Sequence, residues 1–365
     1  MQDIVVANLG TSNKIYLNPG EGGDFGSVVP IEIGGASESD DTRHVAVGDV
    51  NSDGWLDVVV SNGAGQRSKI YFGTGSAADF GSVLATPVGS SAPASRFVVI
   101  ADVNGDSRVD LVFANSDAPN TVYLNDGGAD WSSTSPLEIS PDADDTRSIA
   151  VADVNGDGFS DFIAGNSGQQ NVVYLSDGAS AGELKIGSPS PVGDETDDTR
   201  SVSVLDVNGD GKLDIVSSNA DATSRVYLNA GDGSFPSSGN GVGISAESPL
   251  GMAVGDTNSD GFPDLLVGNK LYLGDGSGSF GEVVPSQICN DEGVRSTQVA
   301  DVNGDGAPDL VVGLDGVNQI YLNDGTGIFT DVAPQPIGSD FDSTESVVVV
   351  DMNGDGLLVR SAEIV

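Results

Sequence analysis

Apolar residues in this chain come in short runs separated by glycine, asparagine, aspartate and serine, and the runs recur in a fixed order. One run leads into an acidic loop (HVAVGDV, SIAVADV, SVSVLDV) and a second leaves it (LDVVVSN, VDLVFAN, LDIVSSN). A third carries a tyrosine (SKIYFG, NTVYLN), and a weaker fourth follows a phenylalanine, as in FGSVVPIEIG. Short runs rich in Val, Ile and Tyr and bounded by turn residues predict β-strands, and no window sustains a helical period with caps.

The order repeats. The acidic nonapeptide stands at 49–57 (DVNSDGWLD), 102–110, 153–161, 206–214, 256–264 and 301–309, and a seventh copy, DMNGDG, starts at Asp351 and lacks its last aspartate. Tyr16, Tyr71, Tyr123, Tyr174, Tyr227, Tyr272 and Tyr321 keep the same period of about fifty residues, each followed by Phe25, Phe80, Trp131, Leu184, Phe235, Phe280 or Phe329. Four strands per unit, repeated seven times, predict an all-β fold: a seven-bladed β-propeller of four-stranded antiparallel blades spanning 1–365 as one domain. Residues 1–18 read as second and third strands and begin near Asp3, which matches a ninth-position aspartate; ESVVVVDMNGDG reads as a first strand and half a loop. The two chain ends are therefore expected to share the last blade.

So many carboxylates in nine residues repel one another unless a cation holds them. In the first copy Asp49, Asn51, Asp53 and Asp57 offer side-chain oxygens at positions 1, 3, 5 and 9, and Trp55 a backbone carbonyl at position 7. That set approaches the six to eight hard oxygens Ca²⁺ prefers, and suits Mg²⁺ less. The corresponding ligands are Asp102, Asn104, Asp106, Arg108 and Asp110; Asp153, Asn155, Asp157, Phe159 and Asp161; Asp206, Asn208, Asp210, Lys212 and Asp214. Asp256, Asn258, Asp260, Phe262 and Asp264 follow, then Asp301, Asn303, Asp305, Ala307 and Asp309, and across the termini Asp351, Asn353, Asp355 and Asp3. Glycine at position 6 permits positive φ, and only Ser107 departs from it. An EF-hand needs glutamate at position 12, where these copies carry Val60, Phe113, Ala164, Ser217, Val267 and Val312. Metal-free Asx turns are the competing explanation.

DVNGDGxxD followed by an LVV-type strand and VYLNDGxGxF resembles the FG-GAP or VCBS repeats of integrin α-subunit propellers and bacterial surface proteins, and fungal lectins built as seven-bladed calcium propellers. The resemblance covers residues 3–359. It implies Ca²⁺ binding and an extracellular or cell-surface role as a lectin, an adhesion module or an ancillary domain of a polysaccharide-degrading enzyme.

A formal charge of −41 excludes nucleic acid as a partner, since phosphate binding needs clustered cations. One cysteine, Cys289, excludes an internal disulfide, no apolar stretch reaches membrane-spanning length, and MQDIVVANLG lacks signal-peptide character. Against so few basic residues, the placement of arginine stands out: Arg43, Arg96, Arg147, Arg200 and Arg295 each lie six residues before an acidic loop, with Leu250 and Glu345 in the other two units. Three of them, Arg43, Arg147 and Arg200, end crossovers of the DDTR type (40–43, 144–147, 197–200). Either each arginine pairs with a crossover aspartate and locks blades together, or together they ring the mouth of a central channel. In the second reading Arg43, Arg147 and Arg200 are the first contacts for an anionic glycan, with neighbouring Asp and Thr on sugar hydroxyls. Asn8, Asn62, Asn115, Asn166, Asn219 and Asn269 end the second strands and either satisfy turns or meet sugars. Catalysis finds no support: His44, the one histidine, is replaced by serine in sister repeats, and Cys289 has no partner base. The expected function is a calcium-stabilised binding module for a glycan or a protein ligand, the alternative being a propeller of a polysaccharide lyase or hydrolase.

Overall fold

The computed structural model describes residues 2–20, 24–128, 130–139, 143–177, 184–220, 222–243, 251–288 and 293–354. Among these there is no α-helix; the strands form four-stranded antiparallel blades. Blade 1 runs from the channel outward as Thr42–Gly48, Asp57–Asn62, Lys69–Tyr71 and Thr86–Pro87. Blades 2 to 5 repeat that order, their first strands being Ala94–Ala101, Thr146–Ala152, Asp198–Leu205 and Met252–Gly255. The remaining eight strands are joined only by a short bridge, Asp315 and Gly316 to Ser343 and Asp342, and divide into two more blades. Blade 6 starts with Val294–Ala300; blade 7 is Asp342–Val350 from one end of the chain paired with Asp3–Asn8, Lys14–Tyr16 and Ile31–Glu32 from the other. The seven-bladed expectation holds, including the shared last blade.

Burial explains the composition of each strand. Second strands such as DVVVSN and DIVVAN are buried at every position because neighbouring blades cover both faces, so β-branched residues occur without alternation. Seven hydrophobic clusters each lie between one blade and the next, the last joining blade 7 to blade 1, so the core is a closed ring of interfaces. The repeated Tyr and Phe belong to it, and Trp131, only 2% exposed, fills a Phe position. Outer strands are short, two residues in most blades, although blade 3 carries Ile186–Val192. Gly89 shows how blades are spaced. Its φ of +62° excludes most side chains, and a Cβ there would stand 2.6 Å from the Tyr123 hydroxyl of the next blade.

Buried polar groups join blades as regularly as apolar ones. Thr146 donates its hydroxyl hydrogen to Asn166 in its own blade (2.8 Å) and accepts from Asn120 of the blade before (2.9 Å). Thr42, Thr199 and Thr344 do the same with Asn62 and Asn13, Asn219 and Asn171, Asn8 and Asn318. Each relay satisfies groups that would otherwise be stranded away from water.

Candidate functional site

Two sets of residues singled out by the sequence come together, on opposite faces. On the first, the six complete acidic loops share one stitching pattern. In the first, Asp49 accepts from the N–H groups of Asp53 (3.1 Å) and Gly54 (2.8 Å), Asn51 accepts from Asp53, and Asp53 accepts from Trp55. Ser107, the one departure at position 6, takes φ +68° and still donates to Asp102 (2.7 Å), so the second loop keeps its shape.

The ninth aspartate does something its motif did not announce. Asp57 is fully buried, one carboxylate oxygen accepting from Val50 N–H (2.9 Å) at the start of the loop and the other from Gly73 N–H (2.8 Å) beyond the tyrosine strand. Asp110, Asp161, Asp214, Asp264 and Asp309 repeat the clip. Asp3 makes it between chain ends, accepting from Met352 (3.0 Å) and Asn18 (2.7 Å). Burial pushes the carboxyls of Asp57, Asp110, Asp161 and Asp309 up to about 6; the N–H donors oppose that rise and the loop carboxylates add to it. Asp355 lies outside the described residues.

The donor chemistry of each loop fits a hard cation: carboxylates at positions 1, 5 and 9, an amide oxygen at 3 and a backbone carbonyl at 7. Among the described residues no three acidic, His or Cys side chains stand together as a closed metal site, and loop oxygens such as those of Asp49 and Asn51 accept from N–H groups. Two loops carry a cation of their own at position 7: Arg108 bonds Asp106 at 2.6 Å, and Lys212 stands 3.7 Å from Asp210. The other position-7 side chains include Trp55 and Phe262, exposed by 51% and 39%.

The opposite set lines the central channel, a cavity of about 670 Å³ bounded by first strands. Arg43, Arg96, Arg147, Arg200 and Arg295 all reach it, as does Glu345. Each is the extra residue of a β-bulge: pairing skips from Thr42 to His44, Ser95 to Phe97, Thr146 to Ser148, Thr199 to Ser201, Val294 to Ser296 and Thr344 to Ser346. A bulge re-aims one side chain without ending the strand, which is how the sequence period becomes a ring. Leu250 lies outside the described residues, as does Cys289.

The arginines differ in their ion pairs. Arg147 pairs with Asp145 and Arg200 with Asp198, each at 2.6 Å within its own blade. Glu345 holds Arg295 at 2.8 Å and approaches Arg43 at 3.7 Å, bridging blades 6, 7 and 1; Arg295 also reaches Asp315 (3.6 Å). Arg96 follows Ala94 where the DDTR blades have aspartate, and among the described residues it has no ion pair. Of the two alternatives for the strand-end asparagines, the turn role fits Asn8, Asn62, Asn115, Asn166 and Asn219, which are buried and hydrogen-bonded at the strand ends, and the crossover threonines Thr42, Thr146 and Thr199 are likewise buried, in the relays. Asn269 differs from them, sitting in the tight turn between Asp264–Val267 and Lys270–Tyr272. His44 packs across blades. Its ring stacks on Phe97 of blade 2 at 3.6 Å, where Ser148 in blade 3 accepts from Val202 N–H of blade 4.

Repeat models decide the family. The FG-GAP-like repeat matches residues 1–60, 102–164, 153–217, 206–267, 268–312 and 301–358, and the FG-GAP repeat matches 42–83. The chain belongs to the FG-GAP-like repeat family. Comparison with curated protein sequences finds no match. Among solved structures, this FG-GAP-like propeller superposes on an Agrocybe aegerita lectin with TM-score 0.67 at 20% identity, covering 97% of this chain and 96% of the other. The BP39L lectin of Burkholderia pseudomallei gives 0.62 at 14%, covering 92% and 94%. A putative 6-phosphogluconolactonase from Bacteroides fragilis gives 0.60 at 15%, covering 96% and 98%. At such identities the likeness is one of fold, which is common to these lectins and the putative lactonase. Among the described residues no helix is long and apolar enough to cross a membrane.

Proposed function

We propose that this FG-GAP-like propeller is an extracellular, calcium-stabilised binding module that recognises glycans. The observation that carries the reading is the division of labour between faces. One face repeats a hard-oxygen loop around the ring, while the other gathers arginines and acids around an open channel. The family supports the extracellular assignment, and the fold relatives support the ligand class: the Agrocybe aegerita lectin recognises non-reducing terminal N-acetylglucosamine. In each loop Ca²⁺ would be held by the oxygens at positions 1, 3, 5, 7 and 9, and when bound it supplies the positive charge that the crowded carboxylates lack. The chain's own residues supply the rest. The buried ninth aspartates hold each loop to its blade, and the threonine relays fix one blade against the next. The recognition surface is thereby rigid before ligand arrives, which limits the ordering cost of binding.

The test is a glycan array probed in calcium and after exhaustive chelation, with melting curves in both buffers. Binding to the folded state alone stabilises it by linkage, so chelation is expected to lower the melting temperature and to weaken glycan capture. An unchanged melting curve ends the calcium reading. An array silent in calcium ends the lectin reading in favour of a protein ligand, and turnover of an acidic polysaccharide would favour the enzyme.

A further inference from the structure

The arginines of the channel mouth are unequal, and the inequality points to a site. Five guanidinium groups reach the channel wall, and four of them have an acid beside them: Asp145, Asp198, and Glu345 between two. Arg96 has no ion pair among the described residues, and its Nε, like those of Arg43, Arg147 and Arg200, is shut off from solvent without a hydrogen-bond partner. Burial lowers the pKa of its guanidinium and the flanking Arg147 and Arg43 lower it further, while Asp145 and Glu345, too far for an ion pair, offset only part of the fall. A charge in that position is a standing electrostatic cost that an anion would remove.

The surroundings define what fits. Immediately along the strands from Arg43 and Arg96, His44 and Phe97 line the same wall with their rings stacked, an apolar shelf beside a cationic mouth. Guanidinium groups suit planar or tetrahedral oxyanions by offering paired donors, and the shelf suits the carbon face of a ring. The rest of the molecule is strongly acidic, so an anion gains nothing by general attraction and must be held locally.

We propose that the channel mouth between Arg43, Arg96 and Arg147 is an oxyanion site, centred on Arg96, that takes the carboxylate or sulfate group of an acidic saccharide. The identity of the saccharide rests on the glycan-binding reading; the oxyanion site does not. Arg147 and Arg200, held by their own aspartates, set the wall of the site, and Arg96 supplies its free charge.

Calorimetric titration at low ionic strength tests this with inorganic sulfate, glucuronate and glucose as probes. Sulfate and glucuronate are expected to bind and glucose not to. Arg96→Gln should weaken both anions at least tenfold, while Lys185→Gln, which removes an equal charge from an exposed ion pair with Asp177, leaves them unchanged. In anion-free buffer Arg96→Gln should melt no lower than the wild type, because the charge it removes is half-buried between two like charges and makes no ion pair among the described residues. Selenate in crystals of the wild type locates the site without any variant, and anomalous signal between the three arginines is the expected result. Anions that ignore the protein, bind Arg96→Gln as well as wild type, or sit elsewhere overturn the proposal. Neutral glycans captured on the array while sulfate and glucuronate fail would leave the lectin reading standing and end this one.

Discussion

At neutral pH the His44 ring is uncharged. Burial lowers its pKa from 6.5 to about 3, a backbone hydrogen bond with Val98 opposing the fall, and its Nδ1 is enclosed without a partner. Its ring stacks on Phe97 and shares the channel wall with Arg43, Arg96 and Glu345, so burial is what keeps it neutral. The sign follows. Between pH 6.5 and 3 the unfolded chain binds a proton that the folded chain refuses, so this group's contribution is intact above the unfolded value and is lost as the pH falls. On acidification from pH 7 to 4.5 the wild type should lose roughly 2 kcal/mol more stability than His44→Ser, the residue of the sister blades, in urea titrations at each pH. Parallel acid profiles for the two proteins would mean that the ring is solvated. Chain reading could not have reached this, because the partner is Phe97, fifty-three residues away in another unit.

Between elements, the threonine relays are the sharpest case of a polar group doing structural duty. Thr146→Val keeps the shape of the side chain but strands the buried Asn166 carbonyl and the Asn120 amide together. Leaving such groups unsatisfied costs about 1–3 kcal/mol each, so chemical denaturation should show a loss within or above that range. A variant as stable as the wild type would imply that water enters between blades 2 and 3. The same relays show what the sequence made legible. The period, the strand order and the positions of the polar residues were plain, since turn residues and apolar runs recur in register. Which oxygen meets which amide was not, because Thr146 sits between partners from two units. Likewise the motif named Asp57 as a ligand without revealing that Val50 and Gly73 also claim it. The arginines were located by their spacing, but the bulge that turns them inward is a property of pairing register and leaves no mark in composition.

For the whole molecule, stability rests on a ring without a free end. Blade 7 buries Asp3–Asn8 against Asp342–Val350, and one cluster on each side of it depends on these N-terminal residues. Removing residues 1–18 would uncover the edges of the Asp342–Val350 strand and Ile31–Glu32, the sort of unpaired backbone that recruits other chains. The truncated protein should aggregate or melt well below the full chain in light-scattering and thermal assays. A soluble, monomeric truncation of equal stability would show that the other blades close without it.

The clip from Asp3 to Met352 also has a meaning in time. It joins residues 349 apart, whereas the equivalent clips within blades span a few residues. During synthesis the segment DIVVAN can pair on one edge with Lys14–Tyr16 at once, but its other edge has no partner until Asp342–Val350 is made, so every other blade can assemble while this one waits. Until then the nearly finished ring carries an apolar strand with one edge unpaired, the period in which such chains are most open to misassembly. A circular permutant beginning at the first strand of blade 7 would make all four of its strands consecutively, and for that reason should reach the native ring with less loss to aggregation.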